Sequence, residues 1–523
     1  METASSSLEL AKQLGMEVLK TLPKTSLSKE ISGQIPYSFA KKNEVLPIEE
    51  YDTYITVATS NPLNLDAIDE LRLILNKEIK AVYCPQEQLL ATLNECYHTQ
   101  EGAASQFLAN LSEETAGSRK QEEEIENYDL LELREEAPII RLLNLILSEA
   151  IQQGASDIHF EPFENDLKIR YRIDGVLQPR LSPPREYQAQ LITRIKVLAK
   201  LDIAEHRLPQ DGRIKLQMGG REIDFRASTV PTTYGERIVL RILDKGNVIL
   251  GLNQLGMLPS VLDEFRRLIS LSEGIVLVTG PTGSGKTTTL YSALWDIYDE
   301  EVNLMSIEDP VEYKLRGIAQ IAVRPKIGLN FATGLRHILR QDPDIVMIGE
   351  IRDTETAEIA IQASLTGHLV LSTLHTNDAP STIARLTDMG IEPYLLSATV
   401  VGVLAQRLVR QTCPNCRVSY TPTDKELEEI NLPRERLNGG VLYRGKGCQQ
   451  CYKSGYKGRH GIYELMTIDS VLQSQIAKNV DTAQLRAISK QQGISLLRDH
   501  GAHLVRSGIT TVSEVLRVTR KYD

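Results

Sequence analysis

The spacing of apolar positions changes several times along this chain. Near the N-terminus, "TYITVATSNP" (53–62) reads as an apolar strand leaving through a Ser-Asn-Pro turn. "NLDAIDELRLILNK" then repeats its apolar residues at helical spacing, and "IKAVYC" is a short strand. Residues 1–100 are therefore expected to form a small α/β domain. From 101 to 136 the pattern lapses into "LSEETAGSRKQEEEIENYDLLELREE", which is acidic, polar and poor in aromatics. Such a segment buries too little to fold alone and reads as a flexible linker, with a solvated surface helix as the other reading.

Periodicity returns at "APIIRLLNLILSEAIQQG" (137–154), where Pro138 suits a helix start and an apolar stripe follows. "SDIHFEP" begins a strand region, and in "DLKIRYRIDG" Leu167, Ile169, Tyr171 and Ile173 alternate with Lys168, Arg170 and Arg172. A period of two marks a half-exposed strand, closed here by Asp-Gly. "GRIKLQMGGREIDFRAS" predicts a hairpin about Gly219-Gly220, so 137–245 reads as an α+β domain. A buried strand, "GIVLVTG", opens the next domain, 246–410. Residues 411–465 hold two cysteine pairs, and 466–523 read as short helices. No internal repeat is visible.

Composition narrows the class. At 523 residues the chain exceeds what one core can serve, so several domains are expected. A net charge of −10 argues against a nucleic-acid partner, since binding phosphates calls for a basic surplus. No apolar run reaches the eighteen or so residues a membrane helix needs. The N-terminus lacks the basic start and apolar block of a secretory signal. The expected location is the cytoplasm, with any membrane association made through partners. Six cysteines fit a reducing compartment: Cys84 and Cys96 stand alone, and the other four are paired by spacing.

The chemistry begins at Gly280-Pro281-Thr282-Gly283-Ser284-Gly285-Lys286-Thr287, a complete G-x-x-x-x-G-K-[ST] motif between a strand and a helix. Glycines let the backbone curl so that its N–H groups face phosphate oxygens. Lys286 is expected to reach the β- and γ-phosphates of ATP, and Thr287 to ligate Mg²⁺. A second apolar strand, "DIVMIGE", runs into Glu350 where an aspartate is commoner, and "MSIEDPVEY" places Glu308, Asp309 and Glu312 after another. Hydrolysis needs such a carboxylate to orient and deprotonate water. "GHLVLSTLHTNDA" brackets a strand with His368 and His375.

The order of the P-loop, "IEDPVE", "GEIRD" and "GHLVLSTLHTN", with "SDIHFEP", "LPQDGRI", "GERIVLRIL" and "GLRHILRQDPD", resembles the ATPases of type II secretion and type IV pilus assembly. The likeness spans roughly 137–520. It implies a RecA-like ATPase domain preceded by a PAS-like α+β domain, with a small N-terminal α/β domain and a zinc-bearing C-terminal insertion. It also implies Glu308 as the water-activating base and Glu350 as the Mg²⁺-side carboxylate, an assignment that sequence leaves exchangeable. His375 falls in the histidine motif. Arg213 in "QDGRI" and Arg226 in "DFRAS" match arginines that face the transferring phosphate, with Arg336 and Arg340 as further candidates. A homo-oligomer, expected to be a hexamer, would bind a bitopic inner-membrane protein through its N-terminal domain and also contact a polytopic platform protein.

Cys413 and Cys416 in "CPNC" and Cys448 and Cys451 in "CQQC" offer four thiolates, the ligand set of a closed structural Zn²⁺ site. The span between the pairs exceeds the usual ribbon spacing, so "TDKELEEINLPRERLNGG" is expected to bulge outward. A redox pair is the alternative. Two functions then compete: a ring-forming ATPase motor acting on a membrane partner, and a nucleic-acid protein combining a P-loop with a zinc ribbon. The latter needs aromatics for base stacking, and only 5% of this acidic chain is aromatic. Within the family, pilus-assembly members often carry longer N-terminal regions with repeated helical motifs that bind cyclic dinucleotide. None is visible in 1–100, which favours powering type II secretion by driving pseudopilus assembly.

Overall fold

The computed structural model describes residues 9–19, 22, 35, 37–51, 53–97, 104, 138–218, 221–244 and 250–520. Apart from Ala104, the expected linker at 101–136 lies outside them. In the N-terminal part, α1 (Tyr37–Asn43), β1 (Val45–Glu50), β2 (Tyr54–Thr59), α2 (Leu65–Leu75), β3 (Glu78–Tyr83) and α3 (Gln86–Tyr97) follow in order. The strands form a sheet β1-β2-β3, antiparallel then parallel. The parallel pair needs a crossover, which α2 supplies by burying Ala67, Ile68, Leu71 and Leu75.

The next elements are α4 (Pro138–Gln152), β4 (Ala155–Pro162), β5 (Leu167–Ile173), β6 (Val176–Leu181), α5 (Gln188–Leu198), β7 (Gln210–Met218), β8 (Arg221–Thr232) and β9 (Gly235–Asp244). They give an antiparallel sheet in the order β6-β5-β4-β9-β8-β7. The hairpin registers Met218 opposite Arg221; residues 219–220 themselves lie outside the described set. Alternation sorts the sheet's faces: Ile158, Phe160, Ile169, Tyr171, Phe225 and Leu240 join α4 and α5 in one core. Arg170, Arg172 and Arg241 take the other face, where buried Asp157 and Glu161 pair with them.

These elements belong to a compact unit spanning Met1–Gly246, and a second spans Asn247–Asp523. The second begins with α6 (Pro259–Ile269), β10 (Gly274–Thr279), α7 (Lys286–Ile297), β11 (Leu304–Glu308), β12 (Ala319–Ala322), α8 (Phe331–Ile338) and β13 (Ile345–Ile348). It continues through α9 (Thr354–Leu365), β14 (Leu369–Leu374), α10 (Ala379–Asp388), α11 (Pro393–Thr399) and β15 (Val400–Thr412). Its sheet runs β12-β11-β13-β14-β10-β15-β18, parallel throughout except for β18 (Tyr456–Thr467), which returns antiparallel along β15. All six residues of β10 are buried. Ile275 and Leu277 face a core containing α8, α9 and α10, while Val276 and Val278 face α6 and α7. Each such side chain contributes about 1.5–3 kcal/mol by burial, so β10 is a stiff support for the loop at its C-terminal end.

Between β15 and β18 lie β16 (Arg417–Tyr420), α12 (Asp424–Glu429) and β17 (Leu442–Gly445). This corrects the expected outward bulge. Thr423 and Glu426 cap α12 reciprocally, and Leu427, Ile430, Leu432 and Leu437 join the main core, because their apolar area is better buried than solvated. Among the described residues, four helices come last: α13 (Ser470–Ala477), α14 (Thr482–Gln491), α15 (Leu497–Arg506) and α16 (Val512–Val518).

Candidate functional site

The loop from Gly280 to Gly285 joins β10 to the N-terminus of α7 at the carboxyl edge of the parallel strands, where open α/β sheets bind ligands. Its glycines answer a local demand. A Cβ on Gly280 would stand 2.5 Å from the Gln406 carbonyl oxygen, and one on Gly285, at φ 89°, 2.8 Å from Gln406 Nε2. Gln406 reaches the loop because β15 pairs with β10, and Thr289 of α7 donates a 2.7 Å hydrogen bond to its Oε1.

Lys286 is only 8% exposed and donates to the carbonyls of Gly280 (2.8 Å) and Pro281 (3.2 Å). Burial lowers its pKa to about 8; Glu350 opposes that shift and Arg407 adds to it. An ammonium this poorly solvated gains strongly from an arriving anion. Thr287 is exposed at the loop mouth, and the Oγ of buried Ser284 has no hydrogen-bond partner among the described residues.

Two glutamates end neighbouring strands in different settings. Glu308, 3% exposed on β11, accepts at Oε1 from Ser306 (2.6 Å) and Gln320 (3.0 Å), and at Oε2 from the hydroxyl of Tyr291 on α7. Burial and the Glu308 charge push the Tyr291 pKa far up, so that hydroxyl keeps its proton. Glu350 follows β13; its Oε1 accepts from Arg352, and its Oε2 lies 3.2 Å from His375 Nε2. Burial favours protonation of Glu350, but Arg352 and His375 outweigh it and hold the pKa below the ordinary carboxylate value.

The two histidines separate. His375 stands at the loop end of β14 beside Glu350, whereas His368, a six-residue strand or about 20 Å away, bonds the Ala363 carbonyl at the end of α9. Arg336 pairs with Glu355 at 2.6 Å and Arg340 with His337 at 2.6 Å, both on the surface. In the other unit, Arg213 and Arg226 stand directly opposite each other on β7 and β8. Arg226 also faces Arg241 of β9, whose Nε lies 3.0 Å from Asp157.

Sequence reasoning passed over Arg241, Gln406 and Arg407. The last two were detectable as adjacent polar residues inside the apolar strand "VVGVLAQRLV".

The four cysteines converge, with all Sγ atoms within 4.8 Å of one another. Sulfur separations are 3.9 Å for Cys413–Cys448, 3.8 Å for Cys416–Cys451 and 3.7 Å for Cys448–Cys451. A tetrahedral ion with bonds of about 2.3 Å sets its sulfurs about 3.8 Å apart, so the residues fit a metal. The N–H groups of Gly447, Cys448 and Gly455 donate to Cys416 and Cys451 sulfurs at 3.1–3.3 Å, as thiolate ligands require.

Residues 132–517 match the family model described as "Type II/IV secretion system protein", and 14–103 match "MshEN domain". The second match gives the N-terminal part a family, where sequence patterns offered only an α/β domain. Among curated relatives, type II secretion system ATPase E of Vibrio cholerae is 46% identical over 93% of this chain and 97% of its own length. The type IV pilus assembly ATPase PilB of Myxococcus xanthus is 42% identical over 97% of this chain and 89% of its own. Among solved structures, the ATPase DotB of Legionella pneumophila aligns with a TM-score of 0.53 at 20% identity, over 75% of this chain and 98% of its own, which bears on the fold alone. With its loop, strand order and near-complete overlap with these relatives, the chain belongs to the type II/IV secretion system protein family.

Proposed function

We propose that this protein is the ATP-hydrolysing motor of a type II secretion system, driving pseudopilus assembly at the inner membrane. The observation carrying this reading is the buried Lys286 under a glycine loop, with Glu350 close enough to act on its charge. A triphosphate would exchange the Gly280 and Pro281 carbonyls on Lys286 for phosphate oxygens, and the amides around Gly283–Thr287 would take the rest. Thr287 and Glu350 are the residues to hold Mg²⁺, which when bound supplies charge neutralisation at the phosphates. Glu308, fixed by three donors, is assigned to orient and deprotonate water, and His375 steadies Glu350. Arg213 and Arg226 are assigned to a neighbouring phosphate in the oligomer.

Zn²⁺ on the four cysteines would have a structural role, since no open ligand position remains. The 138–244 sheet is read as PAS-like, its first strand lying centrally beside its last. The remaining assignments are a membrane-partner-docking domain at 1–100, an acidic linker at 101–136, a hexameric ring, a bitopic inner-membrane partner, a polytopic platform and a cytoplasmic location. A pilus-assembly motor is the second reading, favoured by the PilB relative's 42% identity over 97% of the chain.

The experiment is copurification of the full-length chain with inner-membrane proteins, paired with ATPase assays of the captured assembly. Secretion-type partners and stimulated hydrolysis are expected. Capture of pilus components would move the assignment to the second reading, and an assembly that leaves ATP intact would end the motor reading.

A further inference from the structure

Of the three donors on Glu308, Tyr291 alone comes from the helix that begins at the phosphate loop. It is 1% exposed, and its hydroxyl meets Glu308 Oε2. An ionised carboxylate can only accept, so the hydroxyl is the donor. A helix rises 1.5 Å per residue, which sets Tyr291 about 7.5 Å along α7 from Lys286. One helix thus carries both the phosphate-binding end and a hydroxyl that reaches the candidate base. The ring is pinned as well: Tyr313, between β11 and β12, packs edge-on against it, with centroids 5.1 Å apart and planes at 84°.

The same segment holds the other carboxylate oxygen. Gln320 Nε2 donates to Glu308 Oε1 and to the Tyr313 carbonyl (3.2 Å), while its Oε1 accepts the Leu315 amide at 2.7 Å. A carboxylate offers about four lone-pair sites. Ser306 and Gln320 take the two on Oε1, and Tyr291 takes one of the two on Oε2. The site left over, among the described residues, is on the oxygen that Tyr291 holds. The last torsion of a glutamate is soft, so contacts and not a rotamer well decide where that lone pair points.

We propose that Tyr291 is a positioning residue for hydrolysis: by holding Glu308 Oε2 it aims the remaining lone pair at the attacking water, and it sets that base at a fixed distance from phosphates bound at the start of its own helix. The water proton would pass to Oε2 as the water oxygen bonds the terminal phosphorus and the bond from that phosphorus to the ADP oxygen breaks. This deepens the ATPase reading and rests on Glu308 as the base. Ser306 and Gln320, both on the other oxygen, share the work of holding it, whereas Tyr291 has no substitute.

Phosphate release against ATP concentration is measured for full-length wild type, Tyr291→Phe, Ser306→Ala, Glu308→Gln and the double variant Tyr291→Phe/Glu308→Gln. Binding of a fluorescent ATP analogue and thermal unfolding are recorded on each. Tyr291→Phe keeps the ring against Tyr313 and deletes the donor. Its kcat is expected to fall by about tenfold or more, the scale of a hydrogen bond to a charged group, with analogue binding within about twofold of wild type. Ser306→Ala should cost less, because Gln320 still donates to Oε1. In the Glu308→Gln background, Tyr291→Phe should take nothing further away, since groups that act as a unit are not additive.

Rescue adds a readout that a merely structural role would not move. Placing 4-aminophenylalanine at position 291 restores an N–H donor and should return turnover to within about threefold of wild type. Unchanged kcat in Tyr291→Phe would overturn the proposal. So would a Ser306→Ala loss of equal size, or a further loss in the double variant. Should Tyr291→Phe not fold, the aminophenyl protein decides: a folded protein that has lost turnover despite its donor would overturn it as well. A fully active Glu308→Gln would remove the base assignment and this inference while leaving the ATPase reading in place. Wild type that leaves ATP intact would remove that reading too.

Discussion

At the scale of the residue, the proposed site concentrates where charge is buried. Lys286 hydrogen-bonds the loop carbonyls of Gly280 and Pro281 and holds no other element in place by such a bond among the described residues, so Lys286→Ala should leave thermal stability nearly unchanged while ATP turnover falls by about a hundredfold or more. Circular dichroism with a phosphate-release assay checks both halves. Glu308→Gln should retain nucleotide binding and lose turnover, since an amide keeps the shape but cannot accept a proton. Loss of binding would instead make the Tyr291–Glu308 link structural. Glu464 gives a pH prediction. Burial raises its pKa to about 7 from an ordinary value of 4.5, while it accepts the Ala379 and Leu497 amides. A raised folded-state pKa means this stability is present below about 4.5 and lost as pH rises through about 7. Thermal unfolding of Glu464→Gln should therefore change less between those limits than wild type.

At the scale of the element, β15 and β18 form one long ribbon whose far end carries the cysteine cluster. Metal analysis is expected to find about one zinc per chain, and Cys413→Ser should abolish it and open 413–451 to proteolysis. The β10 loop should survive, because its support is the parallel sheet. A variant that retains stoichiometric zinc would exclude the proposed ligand set. Legibility also differed by element. The alternation of Leu167, Ile169, Tyr171 and Ile173 was readable because a half-buried strand writes its burial into its own sequence. Helix α12 was missed because six residues are too few to show a period, and tertiary contacts stabilise it.

At the scale of the whole molecule, hydrolysis at one site must be joined to movement. Arg213 and Arg226 lie in a different compact unit from Lys286, on a sheet face already rich in arginine. If they act on a phosphate across a subunit boundary, specific activity should rise with protein concentration as assembly proceeds. Size-exclusion chromatography coupled to ATPase assays tests this, and an equally active monomer would refute it.

Groups whose chemistry is local are legible in the order of the amino acids. A phosphate loop must have glycine, lysine and threonine at fixed spacing, and a metal knuckle must have its two cysteines in one turn. Both are set by a few consecutive backbone angles, so both could be read directly. The tertiary structure alone decided which distant residues share that space. Strand pairing sets Gln406 of β15 at the foot of a loop more than a hundred positions earlier, and it sends His375 to Glu350 while leaving His368 at the opposite end of β14. The physical reason is that sheet order and register belong to the burial of the entire core, and no local window of sequence carries that information.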